Sequence, residues 1–162
     1  SSALLEMRAD PQQVGTKINY LVQEVTPEQF PEVLSGQYRV TMWTPETRLQ
    51  YLQFVVIAFG ADNLPGGFPN HQIRYILAGI DEVPFLVKNA RFVFLNREDP
   101  PLDQWVSFRV DVRDDFQRLW GAVPKGYEKI RVLFEVRYDS KATGEAPEAD
   151  VYYDDLYFGP AP

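Results

Sequence analysis

The sequence contains no cysteine, which excludes disulfides, thiolate nucleophiles and Cys-ligated zinc. Histidine is nearly absent as well. His71 stands alone, and one imidazole without any thiolate is a poor basis for a catalytic metal centre. Blocks of Lys or Arg are missing, and the formal net charge is −7. Phosphate contacts supply most nucleic-acid affinity, so nucleic acid is not an expected partner. No apolar run approaches the roughly 18 residues of a membrane span. The Gly-x-Ser-x-Gly elbow of serine hydrolases, internal repeats and low-complexity segments are also lacking.

What is present points to strands. The 162 residues suit one domain with a real core. Hydrophobic residues reach 45% and aromatics 14%, the latter dominated by 11 Phe and 9 Tyr. Period-two alternation recurs along the chain. Gly15 to Glu24 groups Ile18, Tyr20 and Val22 on one face. Gln37 to Trp43 groups Tyr38, Val40 and Met42 against Arg39, Thr41 and Trp43. Gln50 to Phe59 is apolar on both faces, as a central strand would be. His71 to Ala78, Ala90 to Asn96 and Gln104 to Val112 follow, then Lys129 to Tyr138.

With Ala3 to Ala9 and a closing strand from Val151 to Phe158, about nine strands are expected. Pro- and Gly-rich turns separate them, such as Asn63-Leu64-Pro65-Gly66-Gly67 and Asp99-Pro100-Pro101. Pro27 to Leu34 reads as a turn and Asp114 to Trp120 as a short helix stopped by Gly121. The expected fold is an all-β, antiparallel two-sheet sandwich with one or two short helices. It would span residues 1–158, with 159–162 opening a Pro-rich linker. The Ser1-Ser2 start fits a processed export product or an excised module.

The closing strand poses a burial problem. Asp154 and Asp155 sit inside an aromatic run, and neighbouring strand residues point to opposite faces. One of the two therefore aims where Tyr152, Leu156 and Phe158 pack. A buried carboxylate needs a cation or several donors, so the pair is a candidate ion site or hydrogen-bond anchor.

Three stretches carry a family resemblance: Trp105 to Phe108 with Asp114 to Gly121, the long strand Ile130 to Tyr138, and the terminal Val151-Tyr152-Tyr153-Asp154-Asp155-Leu156. Together they resemble the jelly-roll sandwiches of carbohydrate-binding modules and related lectin-like domains, of the galactose-binding-like or concanavalin-like kind. The resemblance implies a jelly-roll topology in which the closing strand pairs with the first. It implies one structural calcium ion held by Asp154 or Asp155, with Glu6 as co-ligand. It also implies an extracellular or periplasmic location and a place in a larger multidomain enzyme.

The polar strand faces suggest what such a domain would do. If Tyr38, Ile130 and Phe134 face the core, then Arg39, Thr41 and Trp43, Arg131, Glu135 and Arg137, and Trp105, Ser107 and Arg109 face away. Rings stack on the C–H faces of a pyranose while charged groups bond its hydroxyls. The expectation is polysaccharide or oligosaccharide binding, with stacking by Trp43 and Trp105 and hydrogen bonds from Arg39, Arg109, Glu135 and Arg137. The same residues also read as a solvated, salt-bridged sheet face, which would suit a structural or adhesive domain.

An enzyme on this fold is the remaining alternative. Glu135 and Asp139 share a face, but four residues at about 3.3 Å each separate them by roughly 13 Å, too far for a glycosidase pair. A polysaccharide lyase would draw on His71, Arg74 and Tyr75, whose spacing does not reproduce the Gln-x-His pattern of jelly-roll alginate lyases. No catalytic residues are therefore assigned.

Overall fold

The computed structural model describes residues 1–12, 15–140 and 144–162. Nine strands are present among them: β1 (Ala3–Arg8), β2 (Gly15–Val25), β3 (Val33–Trp43), β4 (Gln50–Phe59), β5 (Asn70–Ala78), β6 (Ala90–Phe94), β7 (Trp105–Val110), β8 (Lys129–Ser140) and β9 (Glu148–Gly159). They form a four-stranded sheet, β1-β9-β3-β7, and a five-stranded sheet, β2-β8-β4-β5-β6. The chain is an all-β sandwich, with the first strand paired antiparallel to the last. No helix is long and apolar enough to cross a membrane among the described residues.

Alternation explains the layering. From β8, Ile130, Val132, Phe134, Val136 and Tyr138 enter the core. From β4 come Leu52, Phe54, Val56 and Ala58, and from the opposite sheet Tyr38, Val40, Val151 and Tyr153. Phe54 is the centre of an aromatic stack, 4.7 Å from Tyr75, 5.0 Å from Phe108 and 5.7 Å from Phe134. Such offset rings add to the burial of their own area.

The helix α1 (Val112–Trp120) seals one end of the core. Val112, Phe116 and Trp120 recur at helical spacing and are buried, while Asp114 and Asp115 occupy the first turn, where the helix dipole favours acids. Gly121 ends it in the left-handed conformation and donates its N–H to the Gln117 carbonyl.

One strand pair departs from the antiparallel expectation: β5 and β6 run parallel. Residues 79–89 make the crossover that this pairing requires. Gly79 starts it with φ 105°, where a Cβ would lie 2.4 Å from the Gln50 carbonyl oxygen. The crossover lies over the outer face of the five-stranded sheet, so Ile80 packs with Tyr51 and Ile76 in a second small core.

The edges β1 and β2 are joined without a ladder. Lys17 Nζ donates to the Arg8 carbonyl and Asn19 Nδ2 to the Glu6 carbonyl. Side chains thus cover backbone acceptors that an open edge would expose.

Candidate functional site

The six residues expected to bind ligand do not share one surface. Arg39, Trp105 and Arg109 lie on the outer face of the four-stranded sheet. Glu135 and Arg137 lie on the outer face of the other sheet, on the far side of the sandwich. Trp43 lies on neither. It is buried in the core and donates its indole N–H to Asp99 Oδ1 at 3.2 Å. The cause is a register shift between Val40 and Met42 where β3 pairs with β9. Such a bulge flips the face of every later residue, so Met42 turns out and Trp43 turns in. A stacking role for Trp43 is therefore corrected to a core role.

A second bulge resolves the aspartate problem. Between Ser35 and Gln37 the β3–β9 register shifts again, and Asp155 takes φ 52°. Aspartate tolerates that region better than most residues. As a result neither carboxylate enters the core. Asp154 accepts from Ser2 Oγ at 2.9 Å and from the Asp155 N–H at 2.8 Å, and Asp155 accepts from Gln37 Nε2 at 2.7 Å. The Asp155 N–H first, then Ser2, hold the Asp154 carboxyl below its usual range. Gly36 faces this bulge. A Cβ there would meet Leu156 Cδ2 at 2.6 Å and Phe108 Cζ at 2.9 Å.

Glu6 is not beside these aspartates. Its register partner is Asp150, and it lies 3.8 Å from Arg8. Among the described residues no three His, Asp or Glu side chains converge as metal ligands.

The lyase residues also diverge. His71 is buried, its Nε2 2.7 Å from the Pro65 carbonyl oxygen and its ring 4.7 Å from Trp120, edge to face. Tyr75 faces the core and donates to Asp115 Oδ2 at 2.7 Å. Arg74, between them in sequence, points to the opposite side of the sheet.

That opposite side carries a constellation of polar and aromatic side chains. The register aligns Tyr20 of β2, Glu135 of β8 and Gln53 of β4 in one row across the strands. A parallel row places Val22, Leu133, Val55 and Arg74 in line, and Ile18, Arg137 and Tyr51 flank the other side. The open part of this face is a cleft of about 480 Å³ lined by Ile18, Tyr20, Val22, Glu24, Arg131, Leu133 and Glu135. Tyr20 is 55% exposed.

Next to the cleft lies a polar cluster that is held in place, and of its members Glu135 also lines the cleft. Glu135 is buried and accepts from Gln53 Nε2 at 2.5 Å. Arg137 Nε donates to Asp139 Oδ1 at 2.9 Å, and Tyr51 donates to Asp139 Oδ2 at 2.8 Å. Burial pulls the Arg137 pKa down, yet Tyr51, Asp139 and Glu135 more than offset it, so the net shift is upward. Burial dominates for Arg74 and lowers its pKa, with Glu135 opposing. Two buried atoms of this cluster have no hydrogen-bond partner among the described residues: Gln53 Oε1 and Arg74 Nη1. At the far end Phe85, from the 79–89 crossover, lies over both guanidiniums, 5.1 Å from Arg74 and 4.9 Å from Arg137.

Of these residues, Glu135 and Arg137 are expected on an outward strand face from alternation, and that is where they lie. Tyr20, Gln53 and Phe85 are not singled out as candidates. Gln53 carried a usable signal, being an amide inside an otherwise apolar central strand, where burial demands a partner.

No protein-family model matches this chain, and no curated protein sequence does. Among solved structures, it is similar to TmCBM61, solved in complex with beta-1,4-galactotriose. Identity is 8% and the TM-score 0.40, over 96% of this chain and 68% of that one. At that distance, function has to be argued from the chain's own residues.

Proposed function

We propose that this domain is a non-catalytic carbohydrate-binding module whose site is the cleft on the outer face of the five-stranded sheet. The observation that carries the reading is the Tyr20–Glu135–Gln53 row. It sets an exposed ring beside a buried carboxylate whose orientation an amide fixes. A saccharide ring needs an apolar platform for its C–H face and rigid acceptors for its hydroxyls. Tyr20, Val22 and Leu133 supply the platform. Glu135 supplies an acceptor, and the Arg131–Glu24 pair, 2.5 Å apart, supplies donors and acceptors at one end.

The same geometry argues against hydrolysis at this cleft. Arg137 stands between Glu135 and Asp139 along β8, and Asp139 is engaged by both Arg137 and Tyr51. Two carboxyls so placed do not flank a single glycosidic bond.

The test is a glycan array followed by titration calorimetry on the best neutral and acidic oligosaccharides, with beta-1,4-galactotriose included. Glu135→Gln preserves an acceptor for Gln53 but removes the charge. Losing a charge-assisted hydrogen bond of about 1.5–3 kcal/mol weakens binding roughly 10- to 150-fold. Tyr20→Ala is expected to weaken it by about tenfold or less, through the lost ring contact. Tyr20→Ala should barely shift the melting temperature, whereas Glu135→Gln removes a buried anion beside Arg137 and should lower it, so affinity is read per folded molecule. Unchanged affinity in both variants would sink the assignment.

A further inference from the structure

A second surface, on the opposite side of the sandwich, has its own ligand geometry. The register aligns Leu4 of β1, Tyr152 of β9, Arg39 of β3 and Trp105 of β7 in a single row across all four strands. Trp105 is 40% exposed and Leu4 is exposed too. A neighbouring row brings Asp154, Gln37 and Ser107 into line. We propose that this row is a second glycan-binding surface, for an extended neutral polysaccharide lying across the strands, and that the domain bridges two chains.

Three observations favour that occupant. The first is spacing. Tyr152 and Trp105 are two strand positions apart, about 9.5 Å, close to the length of a disaccharide in an extended 1,4-linked chain. The second is the arrangement of polar groups. Arg39 separates the two rings, and its carboxylate neighbour Asp103 is 4.0 Å away, beyond a direct hydrogen bond. A protein interface depletes charge from its centre and gathers its apolar groups together. Here the rings are separated and hydrogen-bonding groups lie between and beside them, which suits hydroxylated rings better.

The third is charge. Arg8, Arg39 and Arg109 are outnumbered by Glu6, Asp103, Asp111, Asp150, Asp154 and Asp155 at this face. Arg8 is 2.8 Å from Asp150 and Arg109 is 3.4 Å from Asp111. A polyuronate or sulfated chain would be repelled, and a neutral chain would not.

The surface does not depend on the cleft, since the two sheets are back to back with their cores facing. Only the bridging claim rests on the cleft reading. Affinity electrophoresis through gels of soluble galactan, hydroxyethylcellulose and polygalacturonate tests the two sites separately. The wild type, Trp105→Ala/Tyr152→Ala and Tyr20→Ala/Glu135→Gln are compared, with thermal melts run in parallel. Retardation by a neutral polymer that falls about tenfold in the Trp105/Tyr152 variant, and persists in part in the cleft variant, supports the second surface. Trp105→Phe keeps a ring on the row and should retain most of the retardation, which separates stacking from folding defects.

Bridging is read from clumping of polysaccharide particles, expected for the wild type and lost in either double variant. If the Trp105/Tyr152 variant runs like the wild type, the second surface is refuted and the cleft stands. If only the cleft variant is unaffected, the cleft falls and the second surface survives without bridging. No retardation of the wild type by any neutral polymer, or stronger retardation by polygalacturonate, overturns the proposal.

Discussion

Asp139 is the residue on which the polar cluster beside the cleft depends, and its removal should be disproportionately costly. It accepts from the Arg137 guanidinium at 2.9 Å and from the Tyr51 hydroxyl at 2.8 Å. The Arg137 and Asp139 side chains are 13% and 11% exposed, which places the pair in the buried regime. Asp139→Ala would leave Arg137 with Glu135 at 4.0 Å as its ion partner. Stripping one partner from a buried pair costs about 3–5 kcal/mol. In a domain of this size each kcal/mol shifts melting by about 2–4 °C, so the expected fall is roughly 6–20 °C. Tyr51→Phe removes one hydroxyl and leaves the ion pair intact. It should cost about 1 kcal/mol.

The discriminating variant is the double change Arg137→Met with Asp139→Leu. Replacing a buried ion pair by apolar side chains of similar volume is often neutral or stabilising, so the double variant should be more stable than Asp139→Ala alone. Urea unfolding of the four proteins measures this, provided the slopes agree. If Asp139→Ala costs no more than Tyr51→Phe, Arg137 does not rely on Asp139 and the described cluster is wrong.

Trp43→Ala should lower stability by about 3–5 kcal/mol as a cavity mutation, and leave glycan affinity per folded molecule unchanged. Weakened binding by a fully folded Trp43→Ala protein would restore it to the binding surface. Stability should also fall in alkali. Burial raises Tyr38 to about 12 and pushes Tyr51, Tyr75 and Tyr153 upward as well. Phenols whose folded pKa exceeds the unfolded value near 10 contribute fully below pH 10, and that contribution is lost as pH rises through the folded pKa. Tyr38 alone accounts for roughly 2–3 kcal/mol across pH 10 to 12. Denaturant midpoints at pH 9, 10 and 11 read the trend, and Tyr38→Phe should flatten it. A midpoint constant over that range would contradict the burial of these rings.

Much of the sandwich was legible because long strands with one buried face must alternate. Lys129 to Tyr138 and Gln50 to Phe59 are where alternation and continuous apolarity placed them. The parallel β5–β6 pair was not legible, since the crossover from 79 to 89 contains Pro84 and no helical pattern and reads as an ordinary loop. Bulges were the larger obstacle. A single extra residue costs little and leaves no mark on composition, yet it inverts every face beyond it. Reading Trp43 as outward and one of the two aspartates as inward both follow from assuming unbroken strands through Thr41 and Asp155.

The site fails to announce itself for a related reason. In β2, Ile18, Tyr20 and Val22 make the more apolar face, and a count of hydrophobic residues would turn that face inward. The register turns it outward: Leu21 and Val25 pack against the core, while Tyr20 and Val22 are exposed. Edge strands are where natural sheets usually place charge or proline to discourage association, and β2 instead holds an aromatic and a β-branched residue against open solvent. Nothing in the fold requires this, because Leu21 already joins the core. Under the proposed reading, the exposed Tyr20 and Val22 and the buried Glu135 would offer a sugar an apolar platform and a hydroxyl acceptor. The Tyr20 strand, rather than Trp43, is therefore the place where substitution should separate binding from folding.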